Sequence, residues 1–122
     1  MKTIIAGSRD ITDYNLLLEA IKYSRIPITT VVSGCAKGVD KLGEQYAKAN
    51  NIPIEYYPAD WKTFGNNAGP IRNKKMAENS EALIAVWDGV SGGTKNMIDT
   101  AEKLGLMVYV LNLKKRNYCG IK

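Results

Sequence analysis

Three short segments of this chain combine glycine with small polar residues: Gly7-Ser8-Arg9-Asp10, Ser33-Gly34-Cys35-Ala36-Lys37-Gly38 and Asp88-Gly89-Val90-Ser91-Gly92-Gly93-Thr94. Each follows an apolar run. Glycine lets a backbone approach a ligand closely, and a helix N-terminus offers unpaired N–H groups with roughly half a positive charge. Phosphate is the anion that suits such a loop. Gly34 and Gly38 bracket a helix start, but their spacing is neither that of a Walker loop nor the G-x-G-x-x-G of dinucleotide folds. Taken singly, each segment also reads as a tight strand-to-helix turn without a ligand. Three of them favour a phosphate-bearing ligand, and a valine at Gly38 is expected to block that ligand while sparing the fold.

Other residues extend the same chemistry. Arg9 has the forked geometry that pairs with phosphate oxygens, although a loop arginine is often only solvated. Gly92, Gly93 and the Thr94 hydroxyl open a helix and could hold a second anion; alternatively Thr94 is only a cap. In Ala68-Gly69-Pro70-Ile71-Arg72-Asn73 a proline starts a helix whose first turn carries Arg72. A cation there opposes the helix dipole, which favours a functional reason for it. Asp60-Trp61 lies in a polar loop of about a dozen residues, long enough for a binding role. Trp61 either stacks on a base or plugs the core edge. Asp40 favours its helix dipole, and Cys35 reads as a small packing residue.

The elements that must position these loops alternate along the chain. Strand signals fall at 3–7, 29–33, 52–57, 82–87 and 107–111. Helical stripes run over 12–24, 39–50, 70–79 and 94–104, the last ending at Gly105. Between the third strand and Pro70, residues 58–69 read as loop, with Pro70 at a first helical position. Such alternation predicts an α/β Rossmann-like three-layer sandwich whose five-stranded parallel sheet has order 3-2-1-4-5. Ligands of such sheets bind beyond the carboxyl ends of the strands, where the order reverses. Here that point lies between the first and fourth strands and gathers the three segments.

Composition narrows the classes. With no histidine among 122 residues, Ser-His-Asp and Cys-His catalysis are excluded, and nothing suggests a metal or another cofactor. Cys35 and Cys119 show no metal or redox spacing, which suits a reduced, cytoplasmic setting. Apolar runs are strand-sized, so no membrane span or signal peptide is expected. Residues 1–112 read as one domain and 113–122 as a basic tail. The net charge of +5 is explained by that solvated tail or by contact with nucleic acid.

In order along the chain stand Gly7-Ser8-Arg9, Val32-Ser33-Gly34-Cys35-Ala36-Lys37-Gly38-Val39-Asp40, Pro58-Ala59-Asp60-Trp61, Ala68-Gly69-Pro70-Ile71-Arg72-Asn73-Lys74-Lys75-Met76, and Ala85-Val86-Trp87-Asp88-Gly89 with Ser91-Gly92-Gly93-Thr94. Together they resemble the YspA-like branch of the SLOG superfamily, Rossmann-like domains thought to bind nucleotide-derived ligands. Two relatives are similar at lower specificity. These are the LOG-type phosphoribohydrolases, with an Arg-Lys pair and a Pro-Gly-Gly-x-Gly-Thr-x-x-Glu loop, and the DprA single-strand-DNA-binding proteins. Against the phosphoribohydrolase pattern, Arg72 matches the arginine, Asn73 replaces the lysine, and Met97 stands where the glutamate should. A methionine neither stabilises a ribosyl cation nor acts as a base. Cys35 replaces the glycine usual in this branch.

The resemblance therefore implies a nucleotide-binding sensor or sequestering module. Its ligand residues would be Gly7, Ser8, Arg9, Ser33, Gly34, Lys37, Gly38, Asp60, Trp61, Arg72, Asn73, Asp88, Gly92, Gly93 and Thr94. The alternatives are a nucleoside 5′-monophosphate N-glycosidase using Arg72 with Asp88 or Asp10, and DprA-like binding of single-stranded nucleic acid. Relatives often dimerise, so a homodimer is a further expectation.

Overall fold

Strand β1 (Lys2–Gly7) is flanked on both sides by parallel partners, β2 (Thr30–Ser33) and β4 (Ala82–Trp87), and four consecutive residues of it are buried. In a computed structural model that describes residues 1–114, β3 (Ile54–Tyr56) and β5 (Met107–Asn112) complete a five-stranded parallel sheet of order β3-β2-β1-β4-β5. The predicted order is the one found. Alternate side chains of the central strands feed two cores. Ile5, Val31, Ile84 and Val86 meet Leu17 and Ala20 of α1 (Tyr14–Ser24) and Val39, Leu42 and Ala47 of α2 (Val39–Ala49). Ile4, Ala6, Val32, Leu83 and Ala85 meet Met76 and Ala77 of a helix over Ala68–Glu78, and Met97, Ile98 and Ala101 of another over Gly92–Lys103.

The chain between β3 and β4 departs from the sequence reading. Residues 58–69, read as loop, contain a one-turn helix α3 (Trp61–Phe64) and a 3-10 turn (Gly65–Asn67), after which α4 (Ala68–Glu78) begins. Asp60 explains the first, because its carboxylate accepts from the Thr63 N–H at 3.1 Å and caps α3. Pro70 is thus the third residue of α4 rather than the first. Its missing N–H costs nothing there, since first-turn N–H groups lack an intrahelical partner. The last helix, α5 (Gly92–Lys103), begins two residues before the expected Thr94. Among the described residues no helix is long and apolar enough to cross a membrane, and no cluster of acidic, histidine or cysteine side chains could hold a metal. Cys119 and the tail from residue 115 onward lie outside the described residues.

Close packing of α2 on β1 depends on Gly43. A Cβ there would stand 2.7 Å from Cγ2 of Ile5, inside van der Waals contact. We expect Gly43→Ala to destabilise the fold by about 1–3 kcal/mol in urea denaturation. Gly92→Ala, where an added Cβ meets nothing within 4 Å, should leave stability unchanged or raise it by roughly 0.5–1 kcal/mol.

Candidate functional site

Beyond the carboxyl ends of β1 and β4, where the strand order reverses, lies a cavity of about 540 Å³. Gly7, Ser8, Arg9 and Asp10 enter it after β1, Asp88 and Ser91 after β4, and Gly92, Gly93 and Thr94 from the start of α5. Arg72 and Asn73 of α4 and Trp61 of α3 close the opposite side, and Met76 and Met97 contribute buried thioethers. A second cavity of about 510 Å³ is lined by Gly34, Cys35, Ala36, Lys37, Pro58 and Ala59. Arg9, Asp10, Ala36, Trp61 and Arg72 line both. The topology thus gathers most of the residues singled out from the sequence at one sheet edge. Ser33, Gly38 and Asp60 line neither cavity.

The start of α5 is the part of this site with no internal use. Ser91, its N-cap, makes no side-chain capping bond, so the first N–H groups of the helix stay open. Added Cβ atoms at Gly92 and Gly93 would meet nothing within 4 Å, and neither glycine has a positive φ. Neither packing nor backbone conformation calls for glycine there. Thr94 is 6 % exposed, and among the described residues its hydroxyl has no hydrogen-bond partner. An unpartnered hydroxyl open to a cavity beside three open N–H groups suits an anion.

The loop after β2 is held differently. Ser33 is buried, donating to Glu44 Oε2 at 2.7 Å and accepting from the Cys35 N–H at 3.1 Å. The Ala36 N–H donates to Asp40 Oδ2 at 3.1 Å. Two of the loop's N–H groups are therefore occupied within the protein. Gly38 has φ +74, and an added Cβ would run into the Ser8 and Arg9 carbonyl oxygens. Those are backbone atoms and cannot step aside. The expectation that Gly38→Val spares the fold is corrected accordingly: this glycine lets α2 start against the turn after β1.

Arg72 reaches across to that loop, donating from Nη1 to the carbonyl oxygens of Gly34 and Tyr57 and from Nε to Asn73 Oδ1. Burial pushes its guanidinium pKa down, opposed by the nearby Asp40 carboxylate. Asn73 donates to Asn96 Oδ1 at 2.9 Å and the Gly93 carbonyl at 3.4 Å, tying α4 to α5. Asp88 Oδ1 accepts from the Val90 and Ser91 N–H groups at 2.8 Å and from the Ser91 hydroxyl at 2.9 Å. Those bonds, led by the Ser91 N–H, lower its pKa, and they fold the turn that aims α5. The Ser8 hydroxyl lies 2.8 Å from that of Ser91 and accepts from the Asp88 N–H at 3.0 Å, so the turns after β1 and β4 are stitched together.

The residue that sequence reasoning undervalued is Asp40. It is 5 % exposed, lines the first cavity and has its pKa raised to about 6, chiefly by burial; the Ala36 N–H and Arg72 pull the other way. Asn66 and Asn96 also line the cavity without having been singled out, as does Ser91, quoted in its segment but given no role. Only Ser91 carried a signal, as a serine directly before a helix that opens on two glycines.

Asp40 gives a pH prediction. Its carboxyl binds a proton more tightly in the folded chain than at its ordinary pKa of 3.8. Its stabilising contribution is fully present below about pH 4 and is lost as pH rises through about 6, on the order of 2–3 kcal/mol. Asp40→Asn keeps an oxygen for the Ala36 N–H and removes the desolvated charge. Denaturation across pH 4–7 should show a falling stability in the parent and a flatter profile in the variant; equal slopes would contradict this assignment.

A sequence model of the YAcAr family, described as the YspA, cpYpsA-related SLOG family, matches residues 1–64. The chain is 30% identical over 116 residues to the gene 61 protein of Mycobacterium phage D29, an alignment covering 88% of this chain and 93% of that protein. Over 60 residues it is 33% identical to YoqJ, an SPbeta prophage-derived protein of Bacillus subtilis strain 168, covering 49% of this chain and 30% of YoqJ. No solved structure matches significantly.

Proposed function

The chain belongs to the YspA, cpYpsA-related SLOG family, and from that premise we propose that it binds a nucleotide or nucleotide-derived ligand as a sensor or sequestering module. The observation that carries this reading is the start of α5: two glycines that the fold does not require, beside a Thr94 hydroxyl that lines the cavity and has no hydrogen-bond partner among the described residues. The ligand's phosphate sits on the N–H groups of Gly92, Gly93 and Thr94. Arg9, exposed at the cavity wall and without an ion pair among the described residues, neutralises its charge. Trp61, half-exposed at the mouth, stacks on the base.

Binding without hydrolysis follows from the same residues. Met97 is buried among the cavity-lining side chains, where a phosphoribohydrolase would need its glutamate, and a thioether neither activates water nor steadies a ribosyl cation. One oxygen of Asp88 is committed to three donors. Asp10 remains as the exposed carboxylate for the N-glycosidase alternative. Release of free base from a nucleoside monophosphate, abolished by Asp10→Asn, would replace the binding reading with that one.

Thermal-shift measurements against the nucleoside 5′-monophosphates test the proposal. A ligand at 100 times its Kd adds about 2.7 kcal/mol of stability. Gly93→Glu separates fold from function, because a carboxylate in a first helical turn favours the dipole yet repels phosphate. We expect this variant to melt at or slightly above the parent temperature and to lose the nucleotide-dependent rise. An undiminished rise would place the phosphate elsewhere.

A further inference from the structure

We infer that the ligand has two nucleotide units, one in each of the adjoining cavities, joined by phosphate at their shared wall. This rests on the nucleotide-binding reading above and names the class of ligand. A pocket of 300–1,000 Å³ takes a ligand of ordinary drug size. The cavity at α5, at about 540 Å³, therefore already has room for one nucleotide. The second cavity, about 510 Å³, repeats that room on the far side of Trp61.

The chemistry of the shared wall identifies the joint. Arg9 and Arg72 both line both cavities. Arg72 spends Nε and Nη1 on protein oxygens, and among the described residues its Nη2 has no partner. Arg9 has no hydrogen bond or ion pair among the described residues. Two guanidinium groups with open donors at a junction match a linking phosphate, whose oxygens accept paired N–H donors. Asp10, on the same wall, is an acceptor for ribose hydroxyls and not for phosphate.

The far compartment suits a nucleoside better than a bare anion. Its lining mixes polar groups with the small side chains of Pro58, Ala59, Cys35 and Ala36, and Lys37 is its one cation beyond the shared arginines. Trp61 faces both sides, so its ring is placed to contact a base in either. A terminal 5′-phosphate, where the ligand carries one, lies at α5.

Calorimetric titration of the full chain with three probes tests this. The probes are AMP, 5′-phosphorylated diadenylate with a 3′–5′ link, and diadenosine pyrophosphate with a 5′–5′ link; the last two distinguish the kind of joint. We expect one dinucleotide to bind at least tenfold more tightly than AMP, at one per chain. Arg9→Ala, and Ala59→Trp, which fills the far compartment, should each shrink that advantage to under threefold. Both variants are first checked for a parent-like melting temperature, and Ala59→Leu replaces the tryptophan if it fails. AMP binding as tightly as both dinucleotides, two AMP per chain, or a dinucleotide advantage that survives both variants overturns the inference and leaves nucleotide binding standing. Absence of binding by all three probes overturns both.

Discussion

One half-buried guanidinium organises this end of the sheet. Arg72 projects from α4 and gives hydrogen bonds to the carbonyls of Gly34 and Tyr57, the first residues after β2 and β3. A half-buried cation left without acceptors is unfavourable, so three segments hold carbonyl or amide oxygens toward one point. Gly34 is glycine for the same reason, since a Cβ there would stand 2.5 Å from Arg72 Nη1. Both cavities follow from this tie. They share Arg72 as a wall and differ in which loop completes them.

The compensation for that charge is incomplete. Asp40 faces Arg72 and staples the Ala36 N–H, but it is itself so buried that its pKa climbs to about 6. Glu44, also buried, accepts from Ser33 and adds to the pressure on Asp40. A second polar cluster, Ser8, Asp88 and Ser91, fixes the turns after β1 and β4 at the switch point and sets the direction of α5. The second cluster is internally satisfied, whereas Arg72 keeps one nitrogen unpaired among the described residues. What remains open toward solvent is the start of α5, the Arg9 side chain and part of Arg72.

Legibility in the sequence followed physical scale. The alternation of buried runs with helical stripes gave the order 3-2-1-4-5, because strands such as 82–87 are apolar on both faces and admit only a central place. That Gly92, Gly93 and Thr94 lie at a helix start could be read because an N-terminal glycine pair is a local signal. Asp40 and Ser33 could not, since their partners, Ala36 and Glu44, are chosen by loop geometry that no periodicity encodes. Gly38 was read for ligand access when its positive φ and contact with the Ser8 carbonyl already explain it. Asp60 was read as a ligand residue when it caps a helix that residues 58–69 did not announce. Polar residues in loops serve the fold as readily as a ligand, and only the partner each has found distinguishes the two.

The most direct measurement is the amide spectrum of isotope-labelled protein during titration with AMP. Phosphate on the open donors of α5 is expected to give saturable shifts of the Gly92, Gly93 and Thr94 backbone N–H resonances, accompanied by the Trp61 indole N–H. A spectrum in which those resonances stay fixed while AMP binds, or in which no resonance responds to AMP or any other nucleoside monophosphate, would contradict it.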